Sequence, residues 1–251
     1  AFAREKSFTA DVAHELRTPL AGLETTLEVC AGRQREPQAY EKVINSCLRT
    51  TRGMHAMVDT LLLLARADAS QLAATQESVD VEKLLQECWS DYAPVAAGRG
   101  LKIEWDTSAM QANTDRDKLR VVFNNLLDNA VSYADAGGTI RIGVEGMSLG
   151  VQATISNTGS RVSADEAAQV FERFWRGDAA RTDTGRHCGL GLSLCQKIME
   201  VLGGKIAVTS EKDALFTVTL VLPRASRDAE REALRDKPLR MPDEPLTHAT
   251  Y

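Results

Sequence analysis

His14 lies in the run Phe8-Thr-Ala-Asp-Val-Ala-His-Glu-Leu-Arg-Thr-Pro-Leu20. On a helix it stands about 200° round from Val12 and about 160° from Leu16, so it faces water and not the apolar stripe. Imidazole is largely neutral and nucleophilic at neutral pH. Glu15, beside it, can accept the hydrogen of one ring nitrogen and leave the other lone pair free for a phosphorus atom. Thr18 is four residues on and shares the face of His14. Pro19 removes a backbone donor and is expected to bend the helix just past the reactive turn. A histidine exposed on a helix is by itself most often an ordinary surface residue, so the weight falls on these neighbours.

Four further runs carry chemistry. In Asn124-Asn-Leu-Leu-Asp-Asn-Ala130, Asn125 and Asn129 are four apart and present both amides on one side of a helix. Their carbonyl oxygens suit Mg²⁺ beside a triphosphate, because that ion takes few protein ligands plus phosphates and water. Ile155-Ser-Asn-Thr-Gly159 closes a strand-like stretch on a glycine, and Gly185-Arg-His-Cys-Gly-Leu-Gly-Leu192 opens a helix. Gly189 and Gly191 there let the backbone approach a phosphate, with the free N–H groups and positive dipole end of the helix aimed at it. Phe171-Glu-Arg-Phe-Trp-Arg-Gly-Asp178 puts Phe171 and Phe174 at helical spacing, most simply as core anchors. His187 and Cys188 are adjacent with no further ligands near them, a poor zinc site.

The elements that must position these residues fall into two textures. Residues 1–69 hold two long helical patterns joined by a polar, breaker-rich turn at 32–37. The first carries Phe8, Val12, Leu16, Leu23 and Leu27 as one stripe. The second repeats Ile44, Cys47, Thr51, Met54, Val58, Leu61 and Ala65 at alternating spacings of three and four, a heptad seam. Two helices bury little alone; a second copy would complete a four-helix bundle, the alternative being a hairpin packed on the following domain. Residues 66–79 are small and polar and read as a linker. Beyond them, 82–97, 115–133, 163–174 and 189–202 read as helices. Residues 101–106, 139–145, 151–157, 205–210 and 215–222 read as strands. That order implies one mixed sheet with helices on one face. From Arg224 a charge-balanced segment interrupted by Pro238, Pro242 and Pro245 reads as a flexible tail.

The formal net charge of -5 argues against a nucleic-acid binder that works by bulk electrostatics. The five cysteines are scattered, odd in number and without CxxC, so they read as reduced thiols. The longest apolar run, 61–65, is far short of a membrane span. The chain opens at Ala1 within a helical pattern and reads as a fragment of something longer.

The run around His14 resembles the H-box of sensor histidine kinases of two-component systems. The other four, in order, resemble the N-box, first glycine box, F-box and second glycine box of the ATPases that these kinases share with gyrase, Hsp90 and MutL. The likeness extends over roughly residues 1–222. It implies an α+β chain, a dimeric four-helix-bundle hairpin (1–69), a linker (70–79) and an α/β sandwich ATPase domain (80–223), with 224–251 as tail.

By the same resemblance His14 is the phosphoacceptor, Glu15 its acid/base partner, and Thr18 the residue that positions water in a reverse, phosphatase reaction. Asn129 is the principal Mg²⁺ ligand, assisted by Asn125. Tyr133, Asn157, Gly159, Arg181, Gly189, Leu190, Gly191 and Leu192 complete the ATP site. Arg181 would meet the γ-phosphate from a mobile lid, though its residue type reads equally as a solvated lid arginine. The implied activity is ATP-dependent autophosphorylation and transfer to an aspartate of a response regulator receiver domain. The implied place is the cytoplasmic portion of a bacterial inner-membrane sensor, with no nucleic acid and no membrane contact in this fragment.

Three features depart from the pattern, one being the absence of the second glycine expected shortly after Gly159, where Ser-Arg-Val follows. Ser132 stands where many relatives carry lysine, so a phosphate-neutralising charge is missing or comes from elsewhere. Asn157 replaces the aspartate that commonly reads the adenine amino group, as in kinases resembling heavy-metal sensors; its side-chain oxygen can still accept that hydrogen bond. The alternative reading is a signalling pseudokinase, an interaction module with impaired ATP binding.

Overall fold

The computed structural model describes residues 2–148, 150–177, 188–211 and 214–223, with side chains from residue 11 onward. Arg181, the 224–251 segment and the Phe8 side chain lie outside the described residues.

Helices α1 (Phe2–Ala31) and α2 (Pro37–Asp68) form an antiparallel hairpin. Pro37 occupies the first turn of α2, where a missing N–H costs no helical bond. Arg35 ties the turn down, donating from Nη2 to the Val29 carbonyl at 2.7 Å. Helix α1 continues through Pro19, whose ring removes the donor that the Glu15 carbonyl would otherwise receive.

The heptad seam is split, part of it exposed and its end packed on the following domain. Ile44 stands 57% exposed, and Leu20, Leu27, Val58 and Leu62 are likewise exposed on the hairpin. Met57 and Leu61 instead pack on the core of the following domain, and Leu64 is wholly buried in it. The end of α2 is also paired by charge, Arg173 Nη2 lying 2.5 Å from an Asp68 carboxylate oxygen.

The second unit holds β1 (Glu77–Asp80), α3 (Val81–Gly98), β2 (Lys102–Thr107), β3 (Gln111–Thr114), α4 (Arg116–Tyr133), β4 (Thr139–Met147), β5 (Gly150–Thr158), α5 (Gly191–Val201), β6 (Lys205–Ser210) and β7 (Leu215–Pro223). Five strands make one mixed sheet in the order β2-β4-β5-β7-β6, with only β2 and β4 parallel. Ile140, Ile142 and Val144, then Val151, Ala153 and Ile155, alternate inward from β4 and β5. Against them α4 sets Leu119, Val122, Phe123, Leu126 and Leu127, a stripe at spacings of three and one. Helix α5 adds Leu194, Cys195, Ile198 and Met199.

Strands β1 and β3 pair antiparallel as a separate ribbon. Both were missed in the sequence because four residues carry too little alternation to register. The expected linker is therefore partly built into this unit: Leu72 and Ala74 pack on the core, and Thr75 N–H donates to Asp115 at 2.9 Å.

The helix expected over 163–174 is a chain of turns. Ser163 and Glu166 cap each other reciprocally, but the backbone bonds that follow run mostly from i to i−3. Phe174, at φ 62°, then closes off any helical continuation. Val170 is fully buried here, Phe174 packs against the core, and Phe171 is only half-buried.

Candidate active site

Helix α4 begins where the buried Asp115 carboxylate accepts the Lys118 N–H at 2.9 Å, a side-chain N-cap. Burial opposes the Asp115 charge, but hydrogen bonds from Lys118 and Thr75 outweigh it and hold the carboxyl below its ordinary range. At mid-helix Tyr92 donates to the Asn124 carbonyl at 3.0 Å and pins α3 to α4; burial pushes that phenol up to about 12. So anchored, α4 presents Asn125, Asn129 and Tyr133 along one wall of a cavity of about 750 Å³.

The Asn125 side-chain N–H₂ donates to the Val121 carbonyl at 2.8 Å, which turns its oxygen toward Gly191. Gly191 opens α5, whose N-cap, Leu190, offers no side-chain acceptor. The first N–H groups of α5 are thus left for an anion. Gly189 has φ 72°, and a β-carbon there would meet the Trp175 carbonyl oxygen at 2.6 Å. The close approach is fastened by Phe174 N–H donating to the Gly189 carbonyl at 2.9 Å. That contact joins the 171–178 run to the 185–192 run.

Asn157 ends the inward-facing row of β5, almost wholly buried, at the other side of the cavity. Its amide N–H₂ donates to the Thr158 carbonyl at 3.1 Å. The side-chain oxygen is left as the acceptor. Gly159, Gly189, Leu190 and Leu192 also border the cavity, so it gathers every described residue expected at the ATP site.

Sequence reasoning missed the arginines. Arg99, Arg161 and Arg176 line the cavity among the described residues. Arg99 caps the C-terminal end of α4, donating to the Ser132 carbonyl at 2.9 Å, the Ala134 carbonyl at 2.7 Å and the Val131 carbonyl. A positive group therefore stands at Ser132, supplied from 33 residues away in the chain. Spacing along the sequence could not have signalled it. Arg176 lies in the 171–178 run, beside the core-anchoring Phe174.

His14, Glu15 and Thr18 border a second cleft, of about 950 Å³, whose far wall is Glu172, Arg173, Trp175, Arg176 and Cys188 of the other unit. His14 and Thr18 are exposed, and the Thr18 hydroxyl donates to the His14 carbonyl at 3.3 Å. Burial pushes the Cys188 thiol up, and the Glu15 carboxylate adds to the effect across the cleft. The two domains thus face each other across the histidine.

Residues 4–70 match the family model for the His Kinase A (phospho-acceptor) domain, and residues 114–226 match that for the histidine kinase-, DNA gyrase B- and HSP90-like ATPase. The chain is 31% identical over 220 residues to the sensor histidine kinase CusS of Escherichia coli (strain K12), covering 87% of this chain and 46% of that one. It spans about half the length of the curated relatives it matches. Among solved structures it shares the fold of the Acinetobacter baumannii histidine kinase AdeS, with TM-score 0.69, 22% identity, 85% of this chain covered and 98% of that one. Full-length ShkA in complex with AMPPNP is similar at TM-score 0.63 and 26% identity, over 88% of this chain and 46% of that one.

Proposed function

Since the chain belongs to the sensor histidine kinase family, we propose that it phosphorylates its own His14 from ATP and passes the phosphoryl group to an aspartate of a response regulator. The observation that carries the reading is the apposition of two cavities, one bordered by the asparagines and the glycine turn, the other by His14.

Asn157 accepts from the adenine amino group through its free oxygen. The N–H groups at the start of α5 receive the phosphates, with Gly189 and Gly191 allowing the approach. The Asn125 oxygen, aimed by its bond to Val121, and the Asn129 amide fit a hard cation that prefers neutral oxygen ligands beside phosphate. Mg²⁺ held there would neutralise phosphate charge during transfer.

The His14 lone pair attacks the γ-phosphorus as the bond to the ADP oxygen breaks, and Glu15 takes the ring proton. Arg176, on the border of both cavities, steadies charge on the moving phosphoryl group. Thr18 orients water for the reverse, phosphatase reaction on the regulator. The exposed apolar residues of the hairpin pair with a second copy in a four-helix bundle.

Labelled ATP with Mg²⁺ should yield an acid-labile, base-stable phosphoprotein, and His14→Ala should abolish it while ATP binding persists. Comparable labelling of the His14→Ala chain would remove His14 as the acceptor.

A further inference from the structure

Arg161 borders the nucleotide cavity together with Asn157, Gly159 and Phe216, the partner of Asn157 across β5 and β7. It is exposed, and among the described residues its guanidinium has neither hydrogen bond nor ion pair. The chain on either side of it is fastened. Gly159 N–H donates to the Ala214 carbonyl at 2.9 Å, and Ser163 N–H to the Glu166 carboxylate at 2.8 Å. Between these two bonds lies a pair of nearly wholly buried hydroxyls. Ser210, at the end of β6, donates to the Val162 carbonyl at 2.6 Å, which leaves Ser160 to donate to the Ser210 oxygen at 2.6 Å. The Ser160 oxygen accepts the Val162 N–H at 3.3 Å in return. Two hydroxyls 50 residues apart thus fix the backbone at 160 and 162. They hold the root of an uncommitted cation at the edge of the cavity.

We infer that Arg161 is a further nucleotide-binding residue, whose guanidinium lies over the face of the adenine base that Asn157 reads by its edge. This rests on the ATP site of the reading above. A guanidinium is planar, weakly hydrated and stacks on aromatic faces. A cation within about 6 Å of a ring centre is also attracted to the ring face. Asn157 offers the base one neutral acceptor, a modest hold by itself. The fastened position beside Gly159 favours the base as the target, since in that reading the phosphates bind at the start of α5. Ser210 is outside the cavity lining and is a positioning residue, acting only through the backbone that carries Arg161.

Calorimetric titration of the whole chain with Mg²⁺-ATP and Mg²⁺-ADP tests this in the parent, Arg161→Ala, Arg161→Tyr and Ser210→Ala. Arg161→Ala should weaken both nucleotides by the same factor, roughly 3- to 10-fold, because both carry the base. Its melting temperature should stay within about 2 °C of the parent, as for an exposed side chain. Arg161→Tyr, planar and uncharged, should recover most of the loss. Ser210→Ala should weaken ATP in the parent but add little in the Arg161→Ala background, a coupling that general loosening does not produce. Unchanged ATP affinity in Arg161→Ala overturns the inference. So does a loss greater for ATP than for ADP without recovery by tyrosine, which marks a phosphate contact. Additive losses in the double variant overturn the part given to Ser210. A parent chain that binds neither nucleotide takes down the ATP site itself, whereas one that binds ATP without labelling takes down the autokinase reading and leaves this inference standing.

Discussion

A β-carbon placed on Gly191 would come within 2.9 Å of the Asn125 side-chain oxygen. The two residues belong to different motifs, one on α4 and one at the start of α5, and their contact sets the distance between the candidate cation ligand and the candidate phosphate-binding turn. Gly191→Ala must push the amide aside or shift the turn, and overpacking of this kind costs about 1–3 kcal/mol. Calorimetry with ATP and Mg²⁺ should show affinity reduced roughly 10-fold or more, with the melting temperature lowered by only a few degrees. Parent-like affinity would mean that the two motifs do not act on one ligand.

Asn157 should select ATP over GTP. Its N–H₂ group is engaged by the Thr158 carbonyl, so presenting a donor to guanine would cost that bond and set two oxygens face to face. Asn157→Ala should weaken ATP by about 1–3 kcal/mol, the cost of an unpaired buried partner, and bring the two nucleotides closer in affinity. Titration of both nucleotides into both proteins checks this. Equal ATP affinity in the two proteins would remove residue 157 as the adenine reader.

Phosphorylation should stay within one chain, because the nucleotide cavity meets the cleft of its own His14. A His14→Ala chain mixed with an Asn129→Ala chain should then form heterodimers that do not label. A chain carrying both substitutions, paired with a parent chain, should leave the parent subunit labelling. Recovery of labelling in the first mixture would show transfer between subunits.

The Asp115 cap should make stability depend on pH. Its carboxyl is held below the ordinary value of about 4. Its contribution is therefore complete above that unfolded-state value and is lost as pH falls through the lower folded-state one. Asp115→Ala should cost about 1–2 kcal/mol at pH ~7, the usual worth of an N-cap. The gap between variant and parent should shrink at about pH 3 and below, where the parent cap becomes protonated. Urea denaturation at both pH values measures it; a gap independent of pH would assign the stabilisation to something other than the carboxylate.

Local chemistry is written locally, and so the sequence alone carried the motifs, the helical hairpin and the main strands. His14 with Glu15 and Thr18 needs only helical periodicity to share a face. Asn125 and Asn129 need only a spacing of four. The α4 stripe and the alternation in β4 and β5 announce themselves because a packed core imposes periods of 3.6 and 2 on the residues that build it. What only the tertiary structure decided depends on residues far apart in the chain. Arg99 reaches the end of α4, Asp68 pairs with Arg173, Leu64 is buried in the second core, and Gly191 abuts Asn125. The turns at 163–174 belong to the same class: their spacing suits a helix, but the anchoring of Phe174 to Gly189 sets the path of the backbone.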